Sequence, residues 1–148
     1  MIKSLNNELI DQITELFDAQ LNYPVELVYF SKKDQCETCD DTTQLLEEIA
    51  SISDKLYLRN FDIEENSQLA ERYGIHLTPG LVIAGRDQDK LIDYGIRFTG
   101  IPSGYEFSSL LQSIILVSKR DSGLKPAIRN QLKELRKPVQ LHIFVTPT

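Results

Sequence analysis

A chain of 148 residues with 41% apolar content is long enough to bury one core of ordinary size, but short for two complete domains, so one domain plus a fragment is expected. The formal net charge of -6, dispersed along the chain, gives no basic footprint for nucleic acid. No run approaches the roughly 18 apolar residues of a membrane span, and Met1-Ile2-Lys3-Ser4-Leu5-Asn6 lacks the apolar centre of a signal peptide, so a cytoplasmic location without membrane attachment is expected.

Leu5, Leu9, Ile13, Leu16 and Phe17 recur at helical spacing and predict a helix over the first twenty residues, ended before Pro24. Residues 25–30, Val-Glu-Leu-Val-Tyr-Phe, are apolar at nearly every position, as in a central strand buried on both faces. A polar loop then leads into Cys36-Glu37-Thr38-Cys39, which holds both cysteines of the chain. Asp40, Asp41 and Thr42 suit the first turn of a helix that continues through Leu45, Leu46 and Ile49 to about residue 53.

Residues 55–60 predict a second strand, and residues 67–73 a short helix capped by Gly74. His76-Leu77-Thr78-Pro79 precedes a third strand over 81–84, whose hairpin partner is expected over 91–99 across the turn at 85–89. Ser103 is the expected cap of a last helix with Phe107, Leu110, Leu111, Ile114 and Ile115 on one face, stopping between 118 and 123.

The remaining residues repeat the beginning. Leu124, Ile128, Leu132 and Leu135 predict an amphipathic helix, and Pro138-Val139-Gln140-Leu141-His142-Ile143-Phe144 parallels Pro24-Val25-Glu26-Leu27-Val28-Tyr29-Phe30. The copy ends near the point at which the first reaches its cysteines, so residues 119–148 are read as a linker and the start of a second unit, cut short or naturally brief. The apolar strand expected over 139–145 should add to the sheet of its own chain or exchange with a second chain, giving a homodimer.

Two cysteines at this spacing where a strand turns into a helix point to redox chemistry. The helix end favours a thiolate, so Cys36 is assigned the attack and Cys39 the resolving step. Two plainer readings stand beside this one: inert surface thiols, and half of a zinc site completed by His76 or a second subunit. Asp34, Glu37, Asp40 and Asp41 raise the pKa of Cys36, whereas Lys32, Lys33 and the helix end lower it. Near a surface each charge contributes on the order of 1 kcal/mol or less and the helix end roughly 0.3 to 2, so the opposing effects nearly cancel. A reducing or sluggish centre follows rather than a strong oxidant.

Strand, CxxC, helix and a later Thr78-Pro79 opening a strand resemble the thioredoxin superfamily. More closely, Gly100-Ile101-Pro102-Ser103-Gly104-Tyr105-Glu106-Phe107-Ser108-Ser109-Leu110, together with Pro24-Val25-Glu26-Leu27, Pro138-Val139-Gln140-Leu141 and Val145-Thr146-Pro147-Thr148, resembles the glutaredoxin-like protein disulfide oxidoreductases. That family carries two tandem thioredoxin folds, each with its own CxxC, and the likeness spans essentially the whole chain.

The resemblance implies an α/β, thioredoxin-like fold over residues 1–118: a central four-stranded mixed sheet flanked by helices, followed by the first helix and strand of a second such unit. It implies an enzyme, a protein disulfide oxidoreductase acting on a disulfide-containing protein with a thiol or reductase as electron donor, and needing no cofactor or metal. Cys36 and Cys39 would be catalytic, and Thr78 with a cis Pro79 would dock the substrate. The alternative is a non-catalytic interaction or electron-relay module with a weakly active CxxC. The related N-terminal domain of alkyl hydroperoxide reductase flavoproteins shares the Gly-x-Glu-Phe segment but lacks cysteines in its first unit, and their retention here favours the oxidoreductase reading.

The departures are Glu37-Thr38 where thioredoxins have Gly-Pro, the lack of a neighbouring Trp, and Tyr29 at the strand position of the buried thioredoxin acid. Glu26 is the candidate proton acceptor in its stead, although a solvent-exposed carboxylate at the strand start is the plainer expectation. His76 assisting Cys39 is set against an ordinary loop histidine. His142 is read as a strand residue, and Tyr105-Glu106-Phe107 as packing at a helix start. For the reduced protein, iodoacetamide alkylation of Cys36 should be half-maximal only modestly below the pH of a free cysteine, near 8.5, and a midpoint below about 5.5 would overturn the near-cancellation of charges.

Overall fold

The computed structural model describes residues 5–146; Pro147 and Thr148, which form part of the resemblance, lie outside the described residues, as do residues 1–4. Its elements are α1 (Asn7–Gln20), β1 (Val25–Ser31), α2 (Cys39–Ser51), β2 (Leu56–Asp62), α3 (Ser67–Tyr73), β3 (Gly80–Asp87), β4 (Lys90–Thr99), α4 (Tyr105–Lys119) and α5 (Pro126–Lys133). Among the described residues, no helix is long and apolar enough to cross a membrane.

The β-branched and aromatic residues of β1 suit a pleated surface, and all but Ser31 are buried. The strand lies inside a mixed sheet of order β2-β1-β3-β4, parallel to β2 and antiparallel to β3, which pairs in turn with β4. Alternation divides its side chains between two cores. Val25, Leu27 and Tyr29 join the larger one, against Ile13 and Phe17 of α1, Leu46 and Ile49 of α2, and helix α4. Val28 and Phe30 face the smaller one, with Ala70, Ile75 and Val82.

The entry to β1 is fixed from the far end of α4. The buried Ser118 hydroxyl accepts the Asn22 and Tyr23 N–H groups at 2.8 and 3.1 Å and donates to the Tyr23 carbonyl at 2.7 Å. Gly74 closes α3 at φ 65°, where its N–H reaches the Ala70 and Glu71 carbonyls; this is the left-handed cap that glycine adopts without steric cost.

Several boundaries and faces differ from expectation for identifiable reasons. Helix α1 starts at Asn7 because the Asn6 side chain accepts the Leu9 N–H at 2.8 Å, and Leu16 is 38% exposed, which leaves Ile13 and Phe17 as the buried stripe. The cap of α4 is Gly104, at a positive φ of 62°, and not Ser103, whose N–H closes a tight turn to the Ile101 carbonyl at 2.9 Å.

The helix expected at the start of the repeated copy forms as α5 but buries no residue, and residues 139–145 form no strand. The expectation that they join their own sheet is corrected: a strand exists only with a ladder partner, and neither sheet edge takes this segment, so Leu141 and Ile143 stay 84% and 85% exposed.

Candidate functional site

The C-terminal end of β1 sets the position of the cysteines. Buried on both faces, the strand cannot shift without disturbing two cores, and the short loop after Ser31 must turn back to start α2 beneath it. Gln35 makes that reversal at φ 60°. Helix α2 begins at Cys39, so Cys36 lies in the turn just ahead of the helix start, as expected, with the Cys39 N–H approaching the Cys36 carbonyl at 3.4 Å.

Cys36 and Cys39 form a disulfide. Cys36 is partly exposed, whereas Cys39 is 3% exposed at the edge of the core. The difference matters for exchange, because an attacking thiolate must reach its target in solvent, whereas a resolving sulfur needs only to reach the one it frees. The exposed end of α2 has no side-chain cap at Thr38, while the Thr42 and Thr43 hydroxyls bond back to the Thr38 and Cys39 carbonyls at 2.6 and 2.9 Å. Below Cys39, the buried Tyr29 hydroxyl donates to its carbonyl at 3.0 Å. Burial pushes the Tyr29 phenol above its ordinary pKa, outweighing hydrogen bonds from the threonine pair, so it stays a donor.

The second wall comes from the start of β3. Gly80 pairs with Phe30, which brings the preceding loop to the end of β1 that leads into the cysteines. The Thr78-Pro79 bond is cis; Thr78 is half-buried, Pro79 is buried, and the Pro79 carbonyl accepts the Gly100 N–H at 2.8 Å. A Cβ on Gly80 would lie 2.5 Å from Ile75 Cγ2 and 2.8 Å from the Leu77 carbonyl, so only glycine lets this loop close on the strand. Leu77, 67% exposed, stands at its tip.

Lys32 and Lys33 of the cysteine loop pair with Glu64 and Glu65 at 2.8 and 2.6 Å, and these carboxylates hold both lysines above their ordinary pKa. Asp34, Glu37 and Asp40 are exposed. Among the described residues no group of three or more His, Cys, Asp or Glu side chains is placed to hold a metal ion.

Other residues singled out in the sequence lie elsewhere. Glu26 is 3% exposed, which corrects the expected solvent-facing carboxylate. It contacts Arg59 Nε on β2 and Arg86 on β3, at 3.6 Å to the latter, across three strands; its alternation with Val28 and Phe30 sets it on the face opposite Tyr29. Residue spacing contained the clue, since Arg59 and Arg86 each lie two positions beyond the strand partners of Glu26, but that register was visible only once the sheet was assembled.

His76 stands 3.7 Å from Glu71, not against Cys39, and His142 stacks near Phe144 outside any strand. Of the Tyr105-Glu106-Phe107 triplet, Phe107 packs on the core as expected and Tyr105 is 85% exposed; Tyr105 and Glu106 line an open hollow of about 500 Å³ with Ser109 and residues 144–146. The Tyr29 bond to Cys39 was the feature sequence reasoning missed, its only signal being a tyrosine at a strand position where an acid was sought.

No family model matches the chain. It is 28% identical over 148 residues to the alkyl hydroperoxide reductase AhpF of Staphylococcus epidermidis, covering all of this chain and 25% of that protein. A protein disulfide oxidoreductase from Aeropyrum pernix superposes with a TM-score of 0.77 at 27% identity, over 90% of this chain and 56% of that one. The N-terminal domain of the alkyl hydroperoxide reductase AhpF from Enterococcus faecalis superposes with a TM-score of 0.78 at 26% identity, over 90% and 62%. The chain thus spans about a quarter of the curated relative. Its fold is thioredoxin-like, and both branches weighed from the sequence occur among its relatives. Those relatives, with the Cys36–Cys39 bond, support thiol–disulfide redox chemistry.

Held between two arginines on the far face of the sheet, Glu26 is placed to tie strands together. Glu26→Gln is expected to lower stability by about 1–3 kcal/mol through loss of the buried charge contacts, seen as a lower melting temperature, while the pH profile of Cys36 alkylation stays fixed. A displaced alkylation profile would instead assign Glu26 to proton exchange with the cysteines.

Proposed function

We propose that the chain is a thiol–disulfide oxidoreductase unit for protein substrates, operating in the cytoplasm. The observation that carries this reading is the bond between a partly exposed Cys36 and a buried Cys39 at the exposed start of a helix. In the reduced pair the Cys36 thiolate attacks one sulfur of a substrate disulfide, expelling the other as a thiolate that takes up a proton. Cys39, deprotonated, then attacks Cys36 Sγ and expels the second substrate sulfur. The substrate gains two electrons and two protons, and Cys36–Cys39 is left oxidised until an external dithiol or a reductase returns it. Thr78 and Pro79 form the wall on which the substrate segment lies in this scheme, and Tyr29 steadies the backbone of Cys39.

Residues 1–118 would constitute the redox unit and residues 119–148 a linker and the start of a second unit. The exposed apolar side chains of α5 and of residues 139–145 offer a surface for a homodimer. A second reading, an electron relay inside a larger protein, is favoured by the chain matching only 25% of its curated relative. Insulin reduction driven by dithiothreitol separates the two. The oxidoreductase reading expects turnover at least about tenfold above Cys36→Ser, in line with the dependence of exchange on a nucleophilic thiolate; turnover equal to that variant rejects it in favour of the relay.

A further inference from the structure

We infer that the Cys36–Cys39 pair selects disulfides flanked by positive charge and discriminates against anionic ones. The inference rests on the redox reading above and adds the charge of its substrate. Asp34 precedes Cys36 by two residues, Glu37 follows it directly and Asp40 follows Cys39, and all three carboxylates are exposed. Among the described residues none of the three forms a salt bridge. The cations of the same loop are already engaged, Lys32 by Glu64 and Lys33 by Glu65.

The opposite wall supplies no positive charge to balance them. It consists of the exposed Leu77, the Thr78-Pro79 bond and the glycine-containing turn at Gly100, and His76 beside it points to Glu71. A disulfide that approaches the accessible edge of Cys36 therefore meets a segment with three exposed carboxylates within one to four residues of Cys36, and an apolar loop across from it. Ammonium or guanidinium groups beside the target disulfide are drawn in and held through the mixed disulfide, while carboxylates in the same places are repelled at encounter and again in the bonded intermediate.

The chemistry balances as in the reaction above, with one molecule of R–S–S–R consumed, two of R–SH released and one Cys36–Cys39 bond formed. Only the charge on R distinguishes the substrates, so the inference concerns encounter and the mixed disulfide rather than the sulfur chemistry. Acidic neighbours also alter the nucleophilicity of Cys36, but that effect is common to every disulfide and cancels in a ratio of two.

The test compares cystamine, a dicationic disulfide, with dithiodiglycolate, a dianionic one, as oxidants of the reduced full chain, with thiol loss followed by mass spectrometry. Both rates are divided by those of 2-mercaptoethanol with the same disulfides, which removes leaving-group differences. At low ionic strength the normalised cystamine-to-dithiodiglycolate ratio is expected to be about tenfold or more. It should fall towards one when salt is raised to about 0.5 M, where the Debye length shrinks to a few ångströms. The variant Asp34→Asn, Glu37→Gln, Asp40→Asn should bring it within about twofold of one even at low salt. A wild-type ratio near one at low salt, with oxidation still faster than in Cys36→Ser, overturns the charge preference and leaves the redox reading standing. Oxidation by neither disulfide above the Cys36→Ser level overturns both.

Discussion

The structure depends on the double burial of β1. One strand carries Leu27 and Tyr29 into the larger core and Val28 and Phe30 into the smaller, and each fully buried side chain of this size contributes about 1.5–3 kcal/mol. Its hydrogen bonds are taken by β2 on one side and β3 on the other. The strand is therefore the least movable part of the molecule, and what matters for chemistry is attached to its end: the cysteine loop leaves from Ser31, Gly80 pairs with Phe30 and carries the cis Pro79 bond with it, and Tyr29 reaches from within the strand to the Cys39 carbonyl. Placing the site at a rigid strand end, with Cys36 in the turn and Cys39 in the first turn of the helix, gives the partly exposed Cys36 sulfur a fixed position.

The same organisation sorts the polar residues by purpose. Glu26 lies on β1 but towards its other end and on the other face, where Arg59 and Arg86 make its burial tolerable. A buried charge without such partners would be strongly unfavourable, and the three-strand contact binds the sheet where no helix of the larger core reaches. Around the cysteines the pattern reverses, with carboxylates left in water and lysines engaged at the rim. Exposed as they are, these carboxylates contribute little to the stability of the fold.

Much of this was legible in the chain because local chemistry and global packing agree. The doubly buried strand, the helix closed by Gly74, the proline before β3 and the CxxC each carry a residue type that their backbone position demands. What was misjudged depended on contacts between distant residues. Glu26 reads as exposed until Arg59 and Arg86 are brought beside it by strand register. Residues 139–145 carry the alternation of a strand but lack a partner, and no pattern within one segment supplies a ladder. The Tyr29 bond to Cys39 belongs to the same class, since a buried hydroxyl declares its acceptor only in three dimensions.

The division of labour between the two sulfurs is the central claim, and trapping measures it most directly. Reduced Cys39→Ser and Cys36→Ser variants would each be mixed with an oxidised protein substrate, and the disulfide-linked complexes mapped by mass spectrometry. The burial of Cys39 behind Cys36 predicts a stable adduct through Cys36 in the first variant and at least about tenfold less adduct in the second, as thiolate access dictates. Equal trapping through Cys39 in the Cys36→Ser variant would contradict it.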